Sequence, residues 1–420
     1  MYYKSVMIIE NKLLEIESVI NQNWHKEPYI SDLSLLTGIS GIPIFYYVLY
    51  KHTNDPKYLT KIEEVLNVIF EKLNEGEETI PKTYCLGLAG IAYMLNFLEK
   101  SGDINIDFSE ALETFDEILL DTVDHFLSYI DNIESDYIME QVDFLHGVSG
   151  LAHYFLSREK KEIYSEKIII LFEKLSEIVE RDYRKALEVK DIEQASTDLH
   201  KTNLGLAHGH ISFILLFSKF LEVFPDNKKV KHALESSVKT VLLFKNEQED
   251  GFCLFPSIAV NKKTALYNIH LGWCYGDQSV SYGLYKAGKT LNDESLINIS
   301  KEIALSTLKR DSLGTALLHE ESCDPGFCHG TISVAYYHKK WHLITEDSRF
   351  LELYKKFTQL TLSLSTEEKG LAGYLKNTGT GDKQPALGLL DGIAGIGVFF
   401  ADSLLNNSSS IQWDSIFLLE

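Results

Sequence analysis

Cys274 and Cys328 each precede a glycine by two residues, and His146, His208, His329 and Asp391 each precede one by a single residue. Asp143 stands four residues before the glycine that follows His146. Thiols, imidazoles and carboxylates are the side chains that hold transition metals and move protons. Cys274, Cys328 and His329 together offer two thiolates and an imidazole. That set suits zinc and leaves the fourth tetrahedral position open. The same three residues also fit a plainer description, two buried free thiols and a histidine at a helix start. His208 and Asp143 make an acid–base pair if the fold brings them together. Spacing alone leaves both readings open.

The shared register matters because the glycines belong to a repeat. The chain reads GISG, GLAG, GVSG, GHIS, GDQS, GTIS and GIAG from Gly38, Gly87, Gly147, Gly209, Gly276, Gly330 and Gly392. Each copy opens a mostly apolar stretch with aromatics, and successive copies are about 50–70 residues apart, room for two helices. Between them run segments of another kind. Ile62, Val65, Leu66, Ile69, Phe70 and Leu73 follow helical spacing, with Lys61, Glu63, Glu64, Glu71 and Lys72 on the opposite face. Similar patterns cover 109–130, 160–181, 229–244 and 293–309. Seven alternations of a polar-faced and an apolar helix predict an all-α fold, an α/α toroid of helical hairpins forming one domain over 1–420. Equal register then places the reactive residues around one mouth, with inner-helix N-termini offering unpaired N–H groups to anions. Residues 184–203 and 245–271 read as loops or a small β element, and 370–388 as a loop. Asp391 reads as the N-cap of the last inner helix.

Composition narrows the function. The chain has 420 residues, 45% of them apolar and 24% charged, with a net charge of −21. This is globular composition. The absence of a Lys/Arg stripe argues against nucleic acid as a partner. The most apolar run, 392–401, is about half of the roughly twenty residues a membrane span requires. Five cysteines and no visible export signal point to reduced thiols and a cytoplasmic protein.

WCYGD at 273–277, CHG at 328–330, NLGLAHG at 203–209 and DFLHGVSG at 143–150 closely resemble the lanthionine cyclases of the LanC family. The resemblance runs over essentially the whole chain. It implies an α/α toroid with one zinc ion on Cys274, Cys328 and His329, an acid–base histidine at His208 and a neighbouring aspartate at Asp143. It also implies a reaction: thiols of a dehydrated precursor peptide add to dehydroalanine or dehydrobutyrine, closing thioether rings. In that family the cyclase works beside a dehydratase and a peptide exporter at the inner face of the cell membrane.

The chain departs from the family pattern in places. Ser212, Ser279 and Ser333 stand where the second glycine of a unit is usual, and Gln278 where a proline is frequent. His270 occupies the position, four residues before the zinc cysteine, where an arginine is common. A titratable imidazole there makes His270 a third candidate for proton chemistry. Two other readings use the same metal set: a thiol- or peptide-binding scaffold without cyclase activity, and a zinc-dependent prenyltransferase of α/α-toroid fold. The prenyltransferase calls for a basic diphosphate pocket, and no Lys/Arg cluster stands at the inner-helix starts. An α/α-barrel glycosidase leaves Cys274, Cys328 and His329 without a purpose.

Overall fold

A computed structural model describes residues 2–76, 80–132, 138–158, 161–190, 200–246, 253–261, 264–267, 269–317, 323–378, 382–405 and 411–420. Among the described residues the longer helices are α1 (Tyr2–Asn23), α2 (Ile42–Thr53), α3 (Lys57–Gly76), α4 (Leu88–Ser101), α5 (Ser109–Tyr129), α6 (Val148–Ser157), α7 (Lys161–Val189), α8 (His210–Val223), α9 (Lys228–Leu243), α10 (Asp277–Leu291), α11 (Glu294–Ser306), α12 (Thr331–Thr345), α13 (Ser348–Ser363) and α14 (Ile393–Leu404). Even-numbered helices follow the repeat glycines. Several are buried almost all round: every residue of α8 from His210 to Ser218 is buried, as is every residue of α14 from Ile393 to Asp402. A helix apolar on all faces belongs to an inner layer. Odd-numbered helices such as α3 bury one stripe, Ile62, Val65, Leu66, Ile69 and Leu73.

The chain divides into two compact units. One comprises 1–119, 319–336 and 354–420, the other 120–318 and 337–353. In the first unit α2 packs on α3, α4 and α14, and α14 packs on α1, so the last inner helix takes the first helix of the chain as its outer partner. In the second, α6 pairs with α7, α8 with α9 and α10 with α11, while α6, α8 and α10 pack in succession.

The repeat glycines have a steric cause. In every copy the chain doubles back so that a Cβ on the leading glycine would fall on the backbone six residues earlier: on the carbonyl of Asn203 at Gly209, and on that of His270 at Gly276. Only hydrogen fits there. In the first unit the doubled-back carbonyls also receive the first helical N–H: Ile39 donates to Asp32, Leu88 to Pro81, Thr331 to Asp324 and Ile393 to Ala386, at 2.8–3.1 Å. This corrects the expectation of unpaired N–H groups at those helix starts, because the tight turn that needs glycine delivers the acceptor. The three serines at second-glycine positions are satisfied in a similar way. Ser212, Ser279 and Ser333 each donate a hydroxyl hydrogen bond to the carbonyl of the leading glycine, at 2.7, 2.9 and 2.9 Å.

Two other expectations change. Residues 184–189 are helical, since α7 runs to Val189. Its buried stripe continues through Asp182, Ala186 and Val189, and a buried aspartate in that stripe breaks the apolar pattern that sequence reading follows. Residues 191–199 lie outside the described residues. Of the segments expected to hold a β element, 202–203 (β1) pairs antiparallel with 258–259 (β2). The 370–388 segment carries a second antiparallel pair, β3 (Lys376–Asn377) with β4 (Lys383–Gln384).

Candidate functional site

In five of the seven copies the residue two places before the repeat glycine is a backbone coupling point. In the first unit the N–H groups of Phe327 and Cys328 donate to the carbonyl of Leu390, Leu390 N–H donates to Leu36, and Leu36 N–H donates to Cys85. Repeats six, seven, one and two are thereby joined in matching register. In the second unit Leu206 N–H donates to the carbonyl of Cys274 at 2.8 Å, joining repeats four and five. The cysteines of CHG and WCYG thus sit at positions where one turn is tied to the next.

The donor atoms of Cys274, Cys328 and His329 all lie within 4.8 Å of one another, the one such group among the described residues. Cys274 is buried and Cys328 partly so. Asp324 Oδ2 lies 3.2 Å from His329 Nε2, the carboxylate–imidazole pairing typical of metal-bound histidines. Asp324 is itself held, accepting from Gly326 N at 2.8 Å and from Asn377 N in β3 at 3.3 Å. Burial disfavours charge on His329, but its hydrogen bonds to Asp324 and Cys328 outweigh that and raise its pKa to about 11. Two sulfurs, one imidazole and a carboxylate behind the imidazole fit zinc.

Asp391 does not cap its helix. Gly392 is the N-cap of α14, with no side-chain hydrogen bond, and Asp391 Oδ1 is buried without a hydrogen-bond partner. Burial, then the nearby Asp324 carboxylate, raise its pKa.

Asp143 and His208 come together. Asp143 Oδ1 accepts from the backbone N–H of His146 at 2.6 Å and of Gly147 at 3.3 Å, at the start of α6. This leaves Oδ2 to face His208 Nδ1 at 3.2 Å. The His208 side chain is 36% exposed, and its ring stacks on the exposed His146 ring with centroids 6.0 Å apart. His210, next along, is fully buried.

The WCYGD turn is built tightly. Gly276 takes φ +114°, a conformation that disfavours any side chain. His270 is buried at the entry to the turn. Asp277, first residue of α10, accepts from Leu254 N at 3.0 Å and Phe255 N at 2.9 Å and pairs with Arg310. Gln278 lies buried with Nε2 3.1 Å from His338. Sequence reading does not single out Arg310, which has no motif around it, nor Asp182, which lies in an outer helix.

Residues 29–418 match the family described as lanthionine synthetase C-like protein. The chain belongs to the lanthionine synthetase C-like family. Among LanC relatives, it is similar to nisin biosynthesis protein NisC of Lactococcus lactis subsp. lactis, at 24% identity over 296 residues covering 66% of this chain and 68% of that protein. The solved structure of nisin cyclase matches with a TM-score of 0.73 at 19% identity, covering 96% of each chain. This likeness shows the fold, the α/α toroid expected from the repeats. A glucuronyl hydrolase from Bacillus sp. GL1 aligns with a TM-score of 0.41. Among the described residues no helix is long and apolar enough to cross a membrane.

Proposed function

We propose that this chain is a lanthionine cyclase, closing thioether rings in a dehydrated precursor peptide. The observation that carries the reading is the Cys274, Cys328 and His329 donor set within 4.8 Å, in a chain of the LanC-like family. The reaction is an addition without a leaving group. The substrate sulfur bonds to the β-carbon of a dehydroalanine or dehydrobutyrine, the alkene electron pair moves to the α-carbon and carbonyl as an enolate, and a proton closes the α-carbon. Cys274, Cys328 and His329 would hold zinc, which when bound would lower the pKa of a substrate thiol and keep its sulfur nucleophilic.

The protein's own groups handle the proton. His208 is accessible, with one ring nitrogen against Asp143, so the carboxylate orients the ring and selects its tautomer. Asp143 remains oriented because two backbone N–H groups bind its other oxygen. Asp324 orients His329 from behind. His270 contributes less, being buried at 6% exposure.

The test is incubation of the purified protein with a dehydrated precursor peptide, followed by thiol alkylation and mass spectrometry. Cyclisation leaves the peptide mass unchanged and removes alkylatable thiols. Metal analysis accompanies it, with about one zinc per chain expected and most of it lost in Cys274→Ala. Full zinc retention in both Cys274→Ala and Cys328→Ala rejects the donor set, and no loss of free thiols in the peptide rejects the cyclase.

A further inference from the structure

Arg310 and Asp277 form an ion pair in which both side chains are 1% exposed. Removing two charges from water is strongly unfavourable, and an apolar pair of the same volume often serves stability as well or better. What an ion pair supplies is direction, and the acceptors of this one define a geometry. One guanidinium nitrogen of Arg310 reaches the Asp277 carboxylate, and another, Nη1, donates to the carbonyl of Ile269 at 3.3 Å. Ile269 and Asp277 bracket the turn that carries Cys274. The guanidinium therefore spans the mouth of that turn, tying its entry to its exit.

The remainder of the turn is assembled around this tie. His270 carbonyl packs where a Cβ of Gly276 would be, Leu271 N–H donates to Ala316 at 3.0 Å, and Cys274 carbonyl accepts from Leu206. Asp277 also anchors 254–255 through two backbone N–H groups. A lysine in place of Arg310 would keep the charge but lose the planar fork whose separate nitrogens reach two acceptors at once.

We propose that Arg310 is a positioning residue for the metal centre: by stapling the 269–277 turn closed, it sets where the Cys274 sulfur stands. The inference rests on the donor set of the proposed function, and its readout is metal affinity, not cyclisation. Zinc affinity is measured on the full chain by chelator competition for wild type, Arg310→Lys, and the double variant Arg310→Met/Asp277→Leu, which replaces the pair with apolar groups and leaves no orphaned charge. Cobalt loading of each adds a spectroscopic count of thiolate ligands, and thermal unfolding of the metal-free proteins reports the fold.

Both variants should bind zinc at least about ten-fold more weakly, within the range seen when outer supports of a metal ligand are removed. The sulfur-to-cobalt band per bound ion should fall while the metal-free unfolding midpoint stays close to wild type. Unchanged affinity in either soluble variant overturns the proposal. So does an affinity loss with an unaltered cobalt spectrum, and so does failure of both variants to fold, which would make the pair a folding determinant only. Wild type that binds no zinc rejects the donor set and this inference with it. Wild type that binds zinc as tightly as its variants rejects this inference alone.

Discussion

Two carboxylate–imidazole pairs lie side by side in the second unit, and they are built for opposite ends. His208 faces Asp143 at 3.2 Å with its side chain 36% exposed, whereas His210 faces Asp182 at 2.8 Å and is wholly buried. Asp182 spends its second oxygen on another imidazole, His200, also at 2.8 Å. Burial raises the cost of its charge, yet the hydrogen bonds from His200 and His210 prevail and hold the carboxylate well below the usual range. It bonds α7 to the first residue of α8. Asp143 instead gives one oxygen to backbone N–H groups and keeps the other for an accessible ring. Histidines two positions apart thus divide into an accessible pair, the one proposed for proton transfer, and a pair buried between helices. Depth makes the difference, because the buried pair is closed off from solvent while the His208 ring is open to it.

The contrast can be broken most directly at the exposed pair. His208→Asn is expected to slow ring closure by about 10²–10⁴-fold, with zinc content and unfolding midpoint unchanged. Unaltered rate and pH profile in the alkylation assay would remove His208 from proton chemistry, and zinc loss would make it a support of the metal. At the buried pair the expected damage is to stability. Asp182→Asn should cost about 3 kcal/mol in urea unfolding, while the zinc content of the folded fraction holds. A stability change within about 0.5 kcal/mol would show that the buried pair is not a structural tie.

A third buried imidazole sharpens the comparison, because its partner is a neutral amide. Burial pushes the pKa of His338 down from 6.5 to about 3, beside Gln278. Between those values the unfolded chain takes up a proton that the fold refuses. Its contribution to stability is therefore full above pH 6.5 and declines as pH falls toward 3, by up to about 1.4 kcal/mol per pH unit. His338→Gln should flatten this acid limb, and urea midpoints at pH 7 and pH 5 that move as far as in wild type would refute it. The smallest effect is expected at His270. Adding His270→Asn to His208→Asn should change the residual rate by less than about three-fold, or roughly 0.65 kcal/mol. Loss of the residual activity would instead make His270 a working acid or base.

How much of this is legible in the sequence differs between the repeats and the links around them. The glycine at each inner-helix start is visible because the constraint is local: the backbone six residues earlier occupies the space of a side chain. The continuation of α7 to Val189 is hidden, since Asp182 interrupts its apolar stripe and only the imidazoles of His200 and His210 make a buried carboxylate acceptable there. Asp391 reads as a helix cap from position alone, yet Gly392 takes that place and the doubled-back carbonyl of Ala386 receives the Ile393 N–H.

By itself the sequence determined the seven-fold alternation, the all-α class and the common register of Asp143, His208, Cys274, Cys328 and His329, because spacing and hydrophobic period are properties of the chain near each residue. The tertiary structure alone decided which imidazole is accessible and which is locked, that Asp324 stands behind His329, and that Arg310 closes the turn of Cys274. Those outcomes depend on partners distant along the chain, and on whether a charge is left in water or taken out of it, which no local pattern records.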